Sequence, residues 1–93
     1  MFSRLVAEPN FTDAFLKHLR DVENSATRLE QELLERTLAR IVTDPYLPER
    51  FPTFYNPNSP TYFFRSGPFM IEFAVDEKDD VVTFVSLLRR TNP

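Results

Sequence analysis

The stretch SGPFMIEFAVDEKDDVVTFVSLLRR, from Ser66 to Arg90, decides the fold because it holds two apolar runs separated by turn residues. Within the run Phe69 to Val75, every second residue is strongly apolar, and four residues share one face: Phe69, Ile71, Phe73 and Val75. This alternation is typical of a half-buried strand. The run Val81 to Leu88 is rich in β-branched residues, as is typical of strands. With the aromatic run Thr61 to Arg65, the pattern predicts a three-stranded antiparallel meander.

Gly67 is the only glycine in the chain, and it precedes Pro68 between the first two strands of the meander. Glycine accepts a positive φ without steric cost, and proline fixes its own φ. The pair therefore suits a tight hairpin turn. We expect Gly67 to be explained by turn geometry, with no functional role needed.

A short strand and a helix are predicted near the N-terminus. The apolar-polar run Ser3 to Glu8 reads as a first strand closed by Pro9. A helix from Asn10 to about Glu23 follows, with Asn10 or Thr12 as its cap. Its apolar side carries residues at helical spacing, namely Phe11, Phe15, His18, Leu19 and Val22.

A second helix is predicted from Ser25 to Val42, with Asn24 or Ser25 ending the first helix and capping the second. One broad apolar stripe runs along it, formed by Leu29, Leu33, Leu34, Leu38, Ile41 and Val42. This stripe and the apolar face of the strand Phe69 to Val75 must cover each other in a protein this small. The two helices are therefore expected to form a hairpin packed on one face of the sheet.

Between the second helix and the meander, the segment Asp44 to Pro60 holds five prolines and four aromatic residues. Prolines at this density exclude a helix interior and a central strand, which predicts an ordered loop. Its aromatic rings suit two roles: they stack nucleotide bases, or they cover the end of the core, which is the favoured interpretation. These residues are Tyr46, Phe51, Phe54 and Tyr55.

Length and composition limit the function classes. The 93 residues suit one domain, 1–93, of α+β class with the order β-α-α-β-β-β. Without cysteine, neither a disulfide framework nor a thiolate metal site can form.

The carboxylates of Asp76 to Asp80 lack the spacing of a calcium loop and predict a hairpin turn. No run reaches the length of a membrane span. We expect a cytoplasmic protein without metal or cofactor.

The element order and the stretch RSGPFMIEFAVDEKDDVVTFVSLLRR resemble the RelE/ParE superfamily of toxins from bacterial toxin-antitoxin modules. The resemblance covers nearly the whole chain, and Asp44-Pro45 after the second helix fits it. It implies a helical hairpin on a curved antiparallel sheet. It also implies a protein antitoxin as partner, and either the translating ribosome with its mRNA or DNA gyrase as target.

The same resemblance implies that basic residues hold the scissile phosphate in the ribonucleases of the superfamily. On this chain Arg89 matches the family's arginine, and Arg90 beside it is a second candidate because a guanidinium fork fits a phosphate. Arg65 is a third candidate if its side chain points to the open face of the sheet. In those relatives an arginine commonly follows the aromatic after the glycine turn, but here Met70 follows Phe69. The histidine and the tyrosine expected around the last strand's arginine are also missing. His18 and Glu72 are the remaining candidate bases for RNA cleavage.

Each candidate arginine also has a structural alternative. Arg89 and Arg90 serve equally well as a solubilising pair near a chain end, and Arg65 as a charge that blocks edge pairing. Three functions therefore stay open: a toxin that inhibits translation or gyrase, a member without catalytic activity that serves as a protein-binding module, and an unrelated small α+β scaffold. The net charge of −3 provides no global field that attracts nucleic acid.

Overall fold

The computed structural model describes residues 7–47, 50–52 and 61–90, and among them two helices cover one face of a five-stranded sheet. The elements are β1 (Glu8–Phe11), α1 (Asp13–Ser25), α2 (Arg28–Thr43), β2 (Phe51–Pro52), β3 (Tyr62–Ser66), β4 (Phe69–Asp76) and β5 (Val81–Arg89). The strand order across the sheet is β1-β5-β4-β3-β2. β1 runs parallel to β5, and the other neighbouring strands are antiparallel. The predicted α+β class is confirmed, and the sheet is mixed where an antiparallel one was expected.

The predicted meander is confirmed as β3, β4 and β5. Phe69, Ile71 and Phe73 of β4 face the helices and are no more than 1% exposed. Met70 and Glu72 alternate with them on the opposite side, which we call the open face of the sheet, and are half-buried. The alternation in sequence therefore identifies the two faces correctly.

Gly67 and Pro68 form the two-residue turn between β3 and β4. Gly67 has a φ of +55°, as the predicted turn role requires. Packing adds a second reason for glycine here. A Cβ atom at this position would lie 2.6 Å from Cδ2 of Leu33 in α2, which is closer than van der Waals contact allows. A side chain at residue 67 would therefore require the end of the Leu33 side chain to move, and the positive φ is the stronger reason for glycine.

The first strand differs from its prediction. Residues 3–6 lie outside the described residues, and β1 continues to Phe11, beyond the proline expected to close it. Pro9 is tolerated because β1 is an edge strand, where the missing N–H is not needed by a second neighbour. For the same reason Pro52 pairs with Tyr62 in the two-residue strand β2, inside the segment predicted to be a loop.

The helix caps are partly corrected. Thr12 caps α1, as one of the two predicted candidates. For α2 the predicted caps Asn24 and Ser25 are wrong, because α1 continues to Ser25, whose hydroxyl donates to the carbonyl of Asp21 within that helix. Thr27 caps α2 instead, and Glu30 completes a reciprocal capping box.

The apolar stripe of α2 is confirmed except at its first residue. Leu34 and Ile41 are buried, and three residues pack against the core while partly buried, namely Leu33, Leu38 and Val42. Leu29 is 76% exposed. Five positions separate it from Leu34, which rotates it by about 140° from the buried side of the helix. None of the helices in the described part of the chain is long and apolar enough to cross a membrane.

This burial pattern predicts different costs for truncating leucine and isoleucine side chains of α2. Replacing Ile41, which is fully buried, with alanine is expected to cost about 2–5 kcal/mol of unfolding free energy. Leu29→Ala is the matched control and is expected to change it by less than about 0.5 kcal/mol. Leu38→Ala should fall between them because its side chain is partly buried. Urea denaturation of the three variants measures this, and equal losses for Ile41 and Leu29 would contradict the packing of α2.

Candidate functional site

Thr12 joins β1, α1 and β5 at one point. Its backbone N–H donates to the carbonyl of Phe84 at 3.1 Å. Its hydroxyl donates to the carbonyl of Val85 at 2.7 Å and accepts a hydrogen bond from the N–H of Phe15 at 3.1 Å. One side chain therefore caps α1 and anchors that helix to the middle of β5.

β5 changes its register at this anchor. Phe84 pairs with Phe73 and Ser86 pairs with Glu72, so Val85 is an extra residue in β5, the mark of a β-bulge. Because one residue is skipped, the residues facing the helices change from even to odd numbers along the strand. Val82 and Phe84 are buried before the bulge, and Leu87 is buried after it.

The shifted register turns Arg89 toward the helices. Arg89 pairs with Phe69 across β4 and β5, so the two share the helix-covered face. Its Nη2 donates to both carboxylate oxygens of Glu30, at 2.8 and 3.0 Å. The side chains of Arg89 and Glu30 are 26% and 24% exposed. The ion pair therefore ties the end of β5 to the first turn of α2.

Glu30 has two partners. Its Oε1 accepts the backbone N–H of Thr27 at 2.9 Å, and the same oxygen accepts from Arg89. The hydrogen bond from the Thr27 backbone, followed by that from the Arg89 guanidinium, lowers the pKa of Glu30 below its usual value, although burial acts in the opposite direction. The sequence signal for this residue was the Thr27-x-x-Glu30 spacing of a capping box, which our sequence interpretation missed.

The structure does not bring the three candidate arginines to one surface. Arg65 is exposed and pairs with Met70, which in turn pairs with Leu88, so it lies on the open face. Arg89 lies on the helix-covered face. Arg90 is exposed just after β5, with its backbone N–H 2.6 Å from the carbonyl of Pro68.

Arg90 borders a cleft. This cleft holds about 410 Å³ and is lined by Glu30, Gly67, Pro68 and Arg90. It therefore lies at the β3-β4 turn beside the start of α2. A carboxylate and a guanidinium share its wall, so it carries no uniform positive charge for a phosphate.

Glu72 occupies the centre of the open face. Its two carboxylate oxygens accept hydrogen bonds from the hydroxyls of Thr61 at 2.7 Å and Ser86 at 2.9 Å. The three side chains come from neighbouring strands or strand ends, so the group is fixed by the sheet itself. A carboxylate in this place repels a phosphate, which opposes RNA binding on the same face.

His18 and Arg89 line one cleft between α1 and the end of β5. The cleft holds about 260 Å³, and its wall is completed by Asp21, Val22, Ser25, Leu87 and Leu88. Two of its polar atoms, Nδ1 of His18 and Nε of Arg89, are buried and have no hydrogen-bond partner within the described part of the chain. Buried polar atoms of this kind call for an explanation, because leaving them unpaired costs free energy.

Tyr46 and Phe51, the loop aromatics that the structure describes, do not cover the end of the core as the favoured interpretation expects. Tyr46 and Phe51 are 49% and 42% exposed, while Pro45 and Leu47 of the same loop are buried. The guanidinium of Arg50 stacks on the ring of Tyr46, with its carbon 4.9 Å from the ring centre. The pKa of Tyr46 is raised, mainly by desolvation and secondly by the charge of Glu77. Phe54 and Tyr55 lie outside the described residues.

The carboxylate-rich segment Asp76 to Asp80 makes the predicted hairpin turn between β4 and β5. Oδ1 of Asp76 accepts the backbone N–H groups of Lys78 and Asp79, at 3.1 and 3.2 Å. Asp80 closes the turn with a φ of +59°, a conformation that aspartate tolerates better than most residues. Turn geometry therefore accounts for both end residues of the segment.

Comparison with solved structures identifies the fold. The RelE of an archaeal RelE-RelB complex from Pyrococcus horikoshii superposes with a TM-score of 0.72 at 15% identity, covering 95% of this chain and 99% of that one. The toxin-antitoxin complex RelBE2 of Mycobacterium tuberculosis gives 0.71 at 17% identity, covering 97% and 98%. The isolated RelE toxin of E. coli gives 0.66 at 17% identity, covering 94% and 87%. No protein-family model and no curated protein matches the chain.

These similarities confirm the resemblance at the level of the fold: the chain has the RelE fold over nearly its full length. At this identity they do not extend to the residues of a site. The chemistry of this chain is therefore inferred from the positions of its own side chains.

The lowered pKa of Glu30 predicts a pH-dependent contribution to stability. A carboxylate whose pKa is depressed in the folded state stabilises the fold above its unfolded pKa, about 4.5, and loses that effect as the pH falls through the lower folded value. Glu30→Gln should therefore be less stable than the unmodified chain at pH 7, and the difference should shrink below pH ~4.5.

Urea midpoints measured from pH 7 to pH 3 test this. Glu32→Gln is the matched control, because Glu32 is half exposed and its partner Arg28 is 91% exposed. A difference between the Glu30 variant and the unmodified chain that stays constant down to pH 3 would show that the carboxylate charge is unimportant.

Proposed function

We propose that the chain, as a single RelE-like domain over residues 1–93, is the toxin component of a type II toxin-antitoxin module in the cytoplasm. A protein antitoxin neutralises it, and its target is the translating ribosome or DNA gyrase. The observation that carries the proposal is the fold, matched over nearly the full length of each chain to RelE toxins. Two of those structures are toxin-antitoxin complexes.

The site geometry favours binding to protein partners over RNA cleavage. Cleavage through attack by a 2′-hydroxyl requires a base, an acid and positive charge on the phosphate. Of the proposed phosphate-binding residues, Arg65 and Arg89 lie on opposite faces of the sheet, and Arg89 is already paired with Glu30. Glu72 adds negative charge to the open face. The surviving residues therefore provide a poor set for stabilising a dianionic phosphorane.

The size of this deficit can be estimated from the resemblance. Loss of one preorganised donor typically costs about 2.7–4 kcal/mol, or on the order of a hundredfold in rate. Met70 in place of the expected arginine is one such loss. The alternative function is a RelE-like protein without catalytic activity that serves as a protein-binding module, and the Glu30-Arg89 ion pair favours it.

Co-expression tests the proposal. The product of a neighbouring small gene, where it encodes an antitoxin, is expected to co-purify with this chain through size-exclusion chromatography. It should also relieve growth arrest caused by expressing the chain alone. A chain that neither arrests growth nor binds that product would remove the toxin-antitoxin function.

Primer extension on mRNA from the arrested cells separates the targets. We expect growth arrest with little or no new cleavage at ribosome-bound codons. Met70 replaces an expected arginine, Glu72 adds negative charge to the open face, and Arg89 is already paired with Glu30. Efficient cleavage that Arg89→Ala abolishes would show that the arginine acts on RNA in spite of its ion pair. Supercoiling by purified gyrase, measured with and without the chain, identifies the other target.

A further inference from the structure

Among the residues that the structure describes, the edge of β5 is free along its second half. β1 pairs with β5 only from Glu8 opposite Val81 to Phe11 opposite Phe84. At Thr12 the chain turns away into α1, and in the described residues no strand pairs with this side of β5 beyond Phe84. A strand edge of this kind is a template for pairing with another chain.

The backbone groups that face this free edge follow from one hydrogen bond. The N–H of Arg90 points toward β4, because it donates to the carbonyl of Pro68. Along a strand, the N–H and C=O groups of successive residues point to alternate sides. Leu88 therefore also points toward β4, and the N–H and C=O groups of Leu87 and Arg89 point to the free edge.

The cleft between α1 and β5 lies along this same edge. Val22 and Leu87 give it an apolar wall, and its lining includes His18 and Arg89, whose Nδ1 and Nε atoms are buried and have no hydrogen-bond partner among the described residues. Nε of Arg89 is a donor in every state of the side chain, so it requires an acceptor. Nδ1 of His18 serves as a second donor in one of the two neutral tautomers.

We propose that an extended segment of a partner protein adds a strand to β5 at Leu87 and Arg89 and places an Asp or Glu carboxylate between His18 and Arg89. Four backbone groups hold the strand, which is the mode of recognition known as β-augmentation. Both nitrogens are covered in the free chain, so the side chains of His18 and Arg89 turn toward the cleft to pair with the carboxylate. An apolar neighbour in the segment packs on Val22. This inference rests on the proposed function, since the segment belongs to the antitoxin.

Charge determines the position of the acid. Arg89 retains its pair with Glu30 through Nη2, so the guanidinium binds two carboxylates through different nitrogens. Asp21 lies at the exposed rim of the cleft and repels a second acid placed there. The segment is therefore expected to carry one acidic residue between apolar ones. Leu88, which is 57% exposed on the open face, offers a further apolar contact beside the added strand.

A displayed library of random ten-residue peptides tests the proposal without the antitoxin itself. Peptides that bind the immobilised chain are expected to share one Asp or Glu between apolar residues. A synthetic copy of the most enriched peptide is then titrated into the ¹⁵N-labelled chain. The amide signals of Leu87 and Arg89 and the ring signals of His18 should shift in a saturable way.

Matched variants identify the contacts. Arg89→Lys keeps a charge for Glu30 but removes Nε, so affinity should fall by about tenfold or more, as for one hydrogen bond to a charged group. Arg36→Lys, on the exposed side of α2, should leave affinity within about twofold. Changing the peptide's acid to its amide should repeat the loss with the protein untouched. Methylating the peptide's backbone nitrogens should abolish binding.

Several outcomes would overturn the proposal. These are enrichment of no peptide above background, enrichment of helix-forming peptides, signal shifts confined to the open face, or equal binding of the acid and amide peptides. Each leaves the co-expression test of the toxin-antitoxin function unaffected. A neighbouring gene product that binds while these peptide tests fail would retain the proposed function and place its interface elsewhere.

Discussion

The hydrogen bonds of Thr12 with the bulge in β5 are the constraint on which most of this structure depends. The residue closes β1, caps α1 and binds the carbonyls of Phe84 and Val85. The bulge then decides which residues of the last strand face the helices. Without it, Leu87 and Arg89 would turn to the open face, because a shift of one residue inverts every later side chain.

The direction of Arg89 changes the chemistry that this RelE-like fold can carry out. On the open face it would add positive charge near Arg65, as expected for a surface that binds RNA. On the helix-covered face it pairs with Glu30, and the open face retains the carboxylate of Glu72 at its centre. The positive charge of Arg89 thus lies at a cleft lined partly by apolar side chains, which suits a peptide better than a nucleic acid.

Much of the fold could be predicted from the sequence, because the strongest signals are local and repeated. The alternation in β4 and the stripe of α2 identify the buried faces, and Gly67 identifies the turn. The bulge could not be predicted, because Val85 resembles its neighbours in composition and only pairing with β4 reveals the skipped residue. For the same reason Arg89 was placed with Arg65. The ion pair with Glu30 joins residues 59 positions apart, beyond the range of any sequence pattern.

Amide hydrogen exchange of the chain, measured alone and in complex with the proposed antitoxin, tests whether the partner binds along the free edge of β5. We expect complex formation to slow exchange at the amides of Leu87 and Arg89 by a large factor and to change it little at β3, toward the opposite edge of the sheet. Unchanged exchange at these two amides, with new protection at β3 and at the turn of Gly67, would contradict binding at β5 and place the partner near the opposite edge of the sheet.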